Sequence, residues 1–201
     1  MESFIPFVID IINSKYEEKS KRDIWEDSEW KYIAQLENDD VGKVGETIID
    51  TICKKSNITS NIDGSKTKQI GGGNGDGIIK SRTCEIKTAR LGSDERSFQH
   101  ELGETPWKAD YMIFLDIAPK KMYVTIFKNF TKDFYESSGR DNSIKCKPIF
   151  PTKSITWRKK TGAFKLDTTI KINNSNKNTF DFDVNTIDAE RFRTFINAII
   201  E

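Results

Sequence analysis

Gly75-Asp76-Gly77-Ile78-Ile79-Lys80-Ser81-Arg82-Thr83-Cys84-Glu85-Ile86-Lys87 is the stretch on which the reading of this chain turns. Asp76 stands in a glycine-rich turn, Glu85 follows with eight residues between, and Lys87 lies two further on. Residues i and i+2 of a strand project to one face, so Glu85 and Lys87 point together while Ile86 enters the core. A tight bend between the two segments would bring Asp76 alongside them. Two carboxylates and an ammonium on a rigid sheet can hold a divalent cation and orient a water for attack on a phosphodiester.

The flanks frame this stretch as part of a mixed sheet. Apolar spacing predicts helices over 3–20, about 24–37 and about 40–55. In the last, Val41, Val44, Ile48 and Ile52 form a stripe, and Asp39 or Asp40 suits the N-cap. Strand-like material covers 78–88, and 89–108 reads as a loop or short helix. The run Tyr111-Met112-Ile113-Phe114-Leu115-Asp116-Ile117 reads as a buried central strand, followed by another over 122–127. A short helix is expected near 131–136. Beyond 154, Thr156, Trp157, Phe164, Leu166, Ile170 and Ile172 are strand candidates, and 173–178 is a turn by composition. Residues 180–184 alternate strictly, and Asn185 or Thr186 would cap a last helix bearing Phe192, Phe195, Ile196 and Ile199. The expectation is one α/β domain over 1–201. It comprises a helical part (1–55), a catalytic sheet (70–130) and a C-terminal hairpin and helix (150–201).

Composition narrows the chemistry. Of 201 residues, 36% are hydrophobic and 31% charged, as in a globular domain with a highly charged surface. Three scattered cysteines and a single histidine, His100, argue against a structural zinc site or a Cys-His nucleophile. Base chemistry then falls to carboxylates, lysine or metal-activated water. No apolar run reaches the roughly 18–20 residues of a membrane helix, and the N-terminus lacks secretory-signal features. A cytoplasmic location and no membrane partner are the expectation. The net charge of +1 hides an asymmetry: residues 1–52 balance to −7 and residues 119–171 to +9. A phosphate backbone would be drawn to the basic part.

The D-x8-E-x-K pattern, preceded by a glutamate-bearing helix and followed by an apolar strand, resembles the PD-(D/E)xK nuclease superfamily. The family's usual proline before the first aspartate is replaced here by Gly75. The resemblance implies a restriction-endonuclease-like core, a mixed central sheet flanked by helices. It also implies that Asp76, Glu85 and the carbonyl of Ile86 ligate Mg2+, while Lys87 orients the attacking water. Glu46, in Gly42-Lys43-Val44-Gly45-Glu46, matches a helix glutamate that several members bring to the metal, directly or through water. Most similar is a type II restriction enzyme, which implies a homodimer cutting both strands of duplex DNA at a specific sequence to leave 5′-phosphate ends. Gly42–Glu46 with Glu85–Thr88 also resembles mismatch-repair nicking and junction-resolving members. A DNA-binding module without catalysis is a third possibility, disfavoured by the intact Asp76/Glu85/Lys87 set.

Outside the core motif, Arg90, Arg96, Gln99, Arg158, Lys159 and Lys160 are the candidate DNA contacts. Arg90 and Arg96 follow the motif directly, and Gln99 matches a position occupied by Gln or His in some members. Trp157-Arg158-Lys159-Lys160-Thr161-Gly162 joins cations to an aromatic and a turn glycine, a combination suited to clamping a backbone or reading guanine. Gly71–Gly77 does not make a nucleotide loop, since no Gly-Lys-Ser/Thr follows and the segment leads into a strand.

Overall fold

A two-residue turn at Lys80 and Ser81, both with positive φ (50° and 67°), folds Gly77–Ile79 back on Arg82–Arg90. Positive φ at both central positions is the type I′ geometry whose twist matches antiparallel strands. In a computed structural model of the chain, this hairpin organises a mixed six-stranded open sheet. The structure describes residues 4–20, 23–62, 74–92, 98–101, 108–130, 135–137, 143–146, 153–160, 163–170, 178–183, 185–186 and 188–201.

Label the strands β1 (Ser60–Ile62), β2 (Gly77–Ile79), β3 (Arg82–Arg90), β4 (Phe98–Glu101), β5 (Tyr111–Ile117) and β6 (Met122–Lys128). The remaining strands are β7 (Tyr135–Ser137), β8 (Ser143–Cys146), β9 (Lys153–Lys160), β10 (Ala163–Ile170) and β11 (Thr179–Phe182). The helices are α1 (Ile5–Ser20), α2 (Asn38–Lys55) and α3 (Ala189–Ile199). The first sheet runs β1-β2-β3-β5-β6-β11, with β3 and β5 its parallel pair. Asp110 sets their register: its carboxylate accepts from Thr83 N and Oγ1, both at 3.0 Å, and its own N–H donates to Thr83 Oγ1. The second sheet runs β4-β10-β9-β8-β7 and joins the first through β4.

One face of the first sheet is covered by helices. Cys84 and Ile86 of β3 share a core with Ile49, Ile52 and Cys53 of α2 and Phe192 and Ile196 of α3. Asp188 caps α3, its carboxylate accepting from Glu190 N and Arg191 N, so the cap lies beyond the expected Asn185 or Thr186. The buried stripe of α2 is Val41, Gly45, Ile49, Ile52 and Cys53, rotated from the one expected, because Gly45 rather than Val44 meets the strand. The helix expected over 24–37 contracts to a 3-10 turn at Lys31–Gln35.

Strand β4 and its second sheet depart most from expectation. Residues 98–101 were expected in a loop or short helix and instead form an edge strand pairing with β10, His100 opposite Leu166 and Gln99 opposite Asp167. Phe98 and His100 are buried and Gln99 is exposed, the alternation of a half-covered strand. The short helix expected near 131–136 is partly replaced by β7; residues 131–134 lie outside the described residues. Of the strand positions expected after 154, Thr156 and Trp157 lie in β9, Phe164, Leu166 and Ile170 in β10 and 180–182 in β11, while Ile172, residues 173–177 of the expected turn and residue 184 lie outside the described residues. Among the described residues no helix is long and apolar enough to cross a membrane.

Candidate active site

Gly75 adopts φ +144°, and a Cβ there would lie 2.4 Å from the carbonyl oxygen of Cys84. Only glycine allows that approach. The next residue uses it: Asp76 N donates to Cys84 O at 2.8 Å, continuing the β2–β3 ladder past the end of β2. The Asp76 carboxylate, only 2% exposed, then reaches along β3, and its Oδ2 accepts from Ile86 N at 2.7 Å. The bend expected between the two halves of the motif is therefore present, and Asp76 lies beside Glu85-Ile86. Within a strand, the N–H and C=O of one residue emerge on the same edge. The Ile86 carbonyl thus shares the edge that Asp76 occupies.

Glu85 and Lys87 project from the other face of the sheet than Cys84 and Ile86. Their side chains pair directly, Lys87 Nζ to Glu85 Oε1 at 2.5 Å, and retain 17% and 14% exposure. In register beside them on β5 stand Met112 and Phe114, buried, with Asp116 opposite Ala89. Phe114 packs edge-on to Phe127 and Phe130, giving the ion pair an apolar floor. A charge pair over such a floor is less screened than one on an open surface.

Glu46 stands on α2, which packs on the face of β3 opposite to the one that bears Glu85 and Lys87. A Cβ on Gly45 would lie 1.8 Å from Thr88 Oγ1, so the helix backbone rests directly on β3 at this point. One turn further along α2, Asp50 accepts from Ser60 Oγ of β1 at 2.7 Å, showing that this flank of the helix faces the β1–β2 side. Glu46 occupies the same flank four residues earlier. It is half-buried. Among the described residues, no three His, Cys, Asp or Glu side chains form a ready metal cluster. The oxygen donors nearest in the fold to the Asp76–Ile86 bond are the Asp76 carboxylate, which accepts from Ile86 N, and the neighbouring Glu85 carboxylate and Ile86 carbonyl of β3. That set of hard oxygens suits Mg2+, which is bound through few carboxylates and keeps several waters.

The expected DNA contacts divide. The Arg90 guanidinium donates to the carbonyls of Ile33 and Leu36, the latter at 2.6 Å, and so fastens the 3-10 turn to β3 instead of facing a ligand. Gln99 is exposed on β4. Arg158, Lys159 and Lys160 end β9, where Arg158 registers with Lys165, itself opposite Glu101 of β4. The basic segment and Gln99 therefore belong to one sheet. Arg96 lies outside the described residues.

One pair escaped the sequence reading. His100 Nε2 meets Asp116 Oδ1 at 2.6 Å with both side chains 0% exposed, tying the second sheet to the strand beside the motif. Its signal was Asp116, a carboxylate inside an otherwise apolar strand. Removing one partner of such a pair leaves an uncompensated buried group, at a cost of about 3–5 kcal/mol. Urea unfolding of Asp116→Ala is expected to show a loss of that order, with the mutant midpoint far below wild type.

An apolar groove of about 430 Å3, lined by Trp30, Ile48, Ile52, Met122 and Phe182, lies on the helix-covered side. Its only ionisable lining residue is Lys55, so it offers no acid–base pair. Cys53 and Cys84 are free and buried, and burial pushes both thiols up to about 12, which makes them poor nucleophiles. Compared with known proteins, the chain matches no family model, no curated protein and no solved structure.

Proposed function

We propose that this protein is a Mg2+-dependent endodeoxyribonuclease of the PD-(D/E)xK type, with a restriction-endonuclease-like core, that cuts duplex DNA at specific sequences. One observation carries the reading. Gly75 allows Asp76 to hydrogen-bond the backbone at Ile86, so a buried carboxylate reaches the strand residue that lies between Glu85 and Lys87.

In this reading Asp76, Glu85 and the Ile86 carbonyl hold the cation, with Glu46 contributing through water from α2. When bound, Mg2+ would supply Lewis acidity toward a phosphate oxygen. The chain's own groups do the rest. Ile86 N–H fixes the Asp76 carboxylate, and Glu85 keeps the Lys87 ammonium aimed across the face. Lys87, with three donors, holds a water in line with the phosphorus and sets positive charge where the transition state gains negative charge. Water forms the new P–O bond, the bond to O3′ breaks, and the departing oxygen takes up a proton. The ends are a 5′-phosphate and a 3′-hydroxyl.

Sheet two supports DNA as the substrate, since Arg158, Lys159 and Lys160 share it with Gln99 and it is anchored to the catalytic sheet by His100–Asp116. The test is supercoiled plasmid incubated with Mg2+ or with chelator. Linear molecules formed only with Mg2+ are expected. Open circles alone would move the reading to strand nicking, and an unchanged plasmid across several sequences would remove catalysis. Lys87→Ala should slow cleavage by about 10²-fold or more while leaving gel-shift affinity within a few-fold, as expected for a group acting in the transition state.

A further inference from the structure

We infer that the apolar groove along α2 binds a medium-chain carboxylate, its chain lying on Ile48 and Ile52 and its head at Lys55 and Ser56. The inference stands apart from the nuclease reading, because the groove lies on the helix-covered side and shares no residue with that site.

Two ridges at helical spacing line the groove, Ile48-Ile52-Ser56 and Thr47-Thr51-Lys55. Trp30, Met122 and Phe182 complete its wall. From Thr47 to Ser56 a helix rises roughly 13 Å, the length of an extended chain of about ten carbons. The volume of about 430 Å3 is that of a small-molecule site.

The polar groups of the groove are used unequally. Thr47, at one end, commits its hydroxyl to the Lys43 carbonyl, donating at 2.8 Å. At the other end Lys55 is exposed and makes no ion pair with a described residue, whereas its neighbour Lys54 is held by Asp50 at 2.5 Å. Beside it Ser56 is 2% exposed, and its Oγ has no hydrogen-bond partner among the described residues. A buried hydroxyl left unpaired is costly, and rotation about χ1 can turn it toward an entering acceptor.

These features select the occupant. A carboxylate gives Lys55 its counter-charge and Ser56 its acceptor, while an apolar chain covers Ile48 and Ile52. An alkylammonium would be repelled by Lys55 and offers Ser56 no acceptor. A phosphodiester backbone has no apolar body to fill the groove. An extended peptide would bury its own N–H and C=O groups against apolar walls without partners.

Calorimetric titration of the full chain with hexanoate, octanoate and decanoate, each below its micelle concentration, tests this. Affinity should rise about 10-fold with each added pair of methylenes, and decanoate should raise the thermal midpoint as its concentration increases. Decylamine should bind about 10-fold more weakly or worse. Ser56→Ala should raise the midpoint of the free protein by removing the unpaired hydroxyl, yet weaken decanoate about 10-fold. Lys55→Gln should weaken decanoate about 2–5-fold and leave decanol unaffected. Thr51→Trp, at an exposed position of the groove, should abolish binding with an unchanged circular dichroism signal. Neither heat nor a midpoint shift with millimolar decanoate overturns the proposal. So does affinity that ignores chain length, a preference for decylamine, or binding unchanged in both Ser56→Ala and Thr51→Trp.

Discussion

Asp76→Asn is expected to lower the rate of DNA cleavage by about 10³-fold, the equivalent of about 4 kcal/mol of lost transition-state stabilisation. The substitution keeps the side chain's size and retains a carbonyl oxygen to accept from Ile86 N, the 2.7 Å bond that positions it. What it removes is the negative charge. Folding should therefore be nearly unchanged, and DNA affinity should stay close to wild type in Ca2+. Asp76→Ala separates the two roles further. It strips the buried Ile86 N–H of its acceptor and should cost about 1–3 kcal/mol of stability besides the activity. Initial rates on linear duplex, gel shifts in Ca2+ and urea midpoints read the three quantities independently. Wild-type rates in Asp76→Asn would mean that the carboxylate serves only the fold.

The second large effect concerns the contact that brings α2 to the strand. Gly45→Ala should destabilise the protein by about 1–2 kcal/mol net. Forcing a methyl into a filled contact costs about 1–3 kcal/mol, and the gain in helix propensity recovers at most about 1 kcal/mol. The clash is with Thr88, whose Cβ and Cγ2 would each stand 2.7 Å from the new carbon, so rotating the threonine side chain cannot relieve it. Gly42→Ala is the control on the same helix. Nothing lies within 4 Å of a Cβ there, and it should stabilise by about 0.5–1 kcal/mol. Thermal midpoints should thus move in opposite directions, by about 2–4 °C per kcal/mol. Because Gly45 adjoins Glu46, Gly45→Ala should also weaken any activity more than its stability loss explains.

Much of this architecture was legible in the sequence, for identifiable reasons. Helix α2 and strands β3, β5 and β6 announced themselves through periodicity, and the apolar run of β5 marked a strand buried on both faces. The return of Asp76 to the backbone of β3 at Ile86 followed from the spacing and the glycine turn. What did not show was tertiary. The rotation of the α2 stripe depends on Gly45 meeting Thr88, and a hydrophobicity pattern scores glycine as a gap. The region holding β4 reads as polar because Gln99 and His100 flank one another, yet His100 is buried by its partner Asp116, 16 residues away. Arg90 looked like a phosphate ligand because only the fold reveals the carbonyls of Ile33 and Leu36 waiting for it. Likewise, α1 has the composition of a packed helix, and its apolar side chains are nevertheless exposed in the chain's own fold.

The sharpest trial of the nuclease reading is to incubate the full chain with mixed genomic DNA and Mg2+, then sequence the ends. Fragments bearing 5′-phosphates at one recurring short sequence, absent with chelator and absent with Asp76→Asn, are the expected result. Intact DNA under every divalent cation tried, or cleavage that persists in Asp76→Asn, would show that Asp76, Glu85 and Lys87 do not form a phosphodiesterase centre.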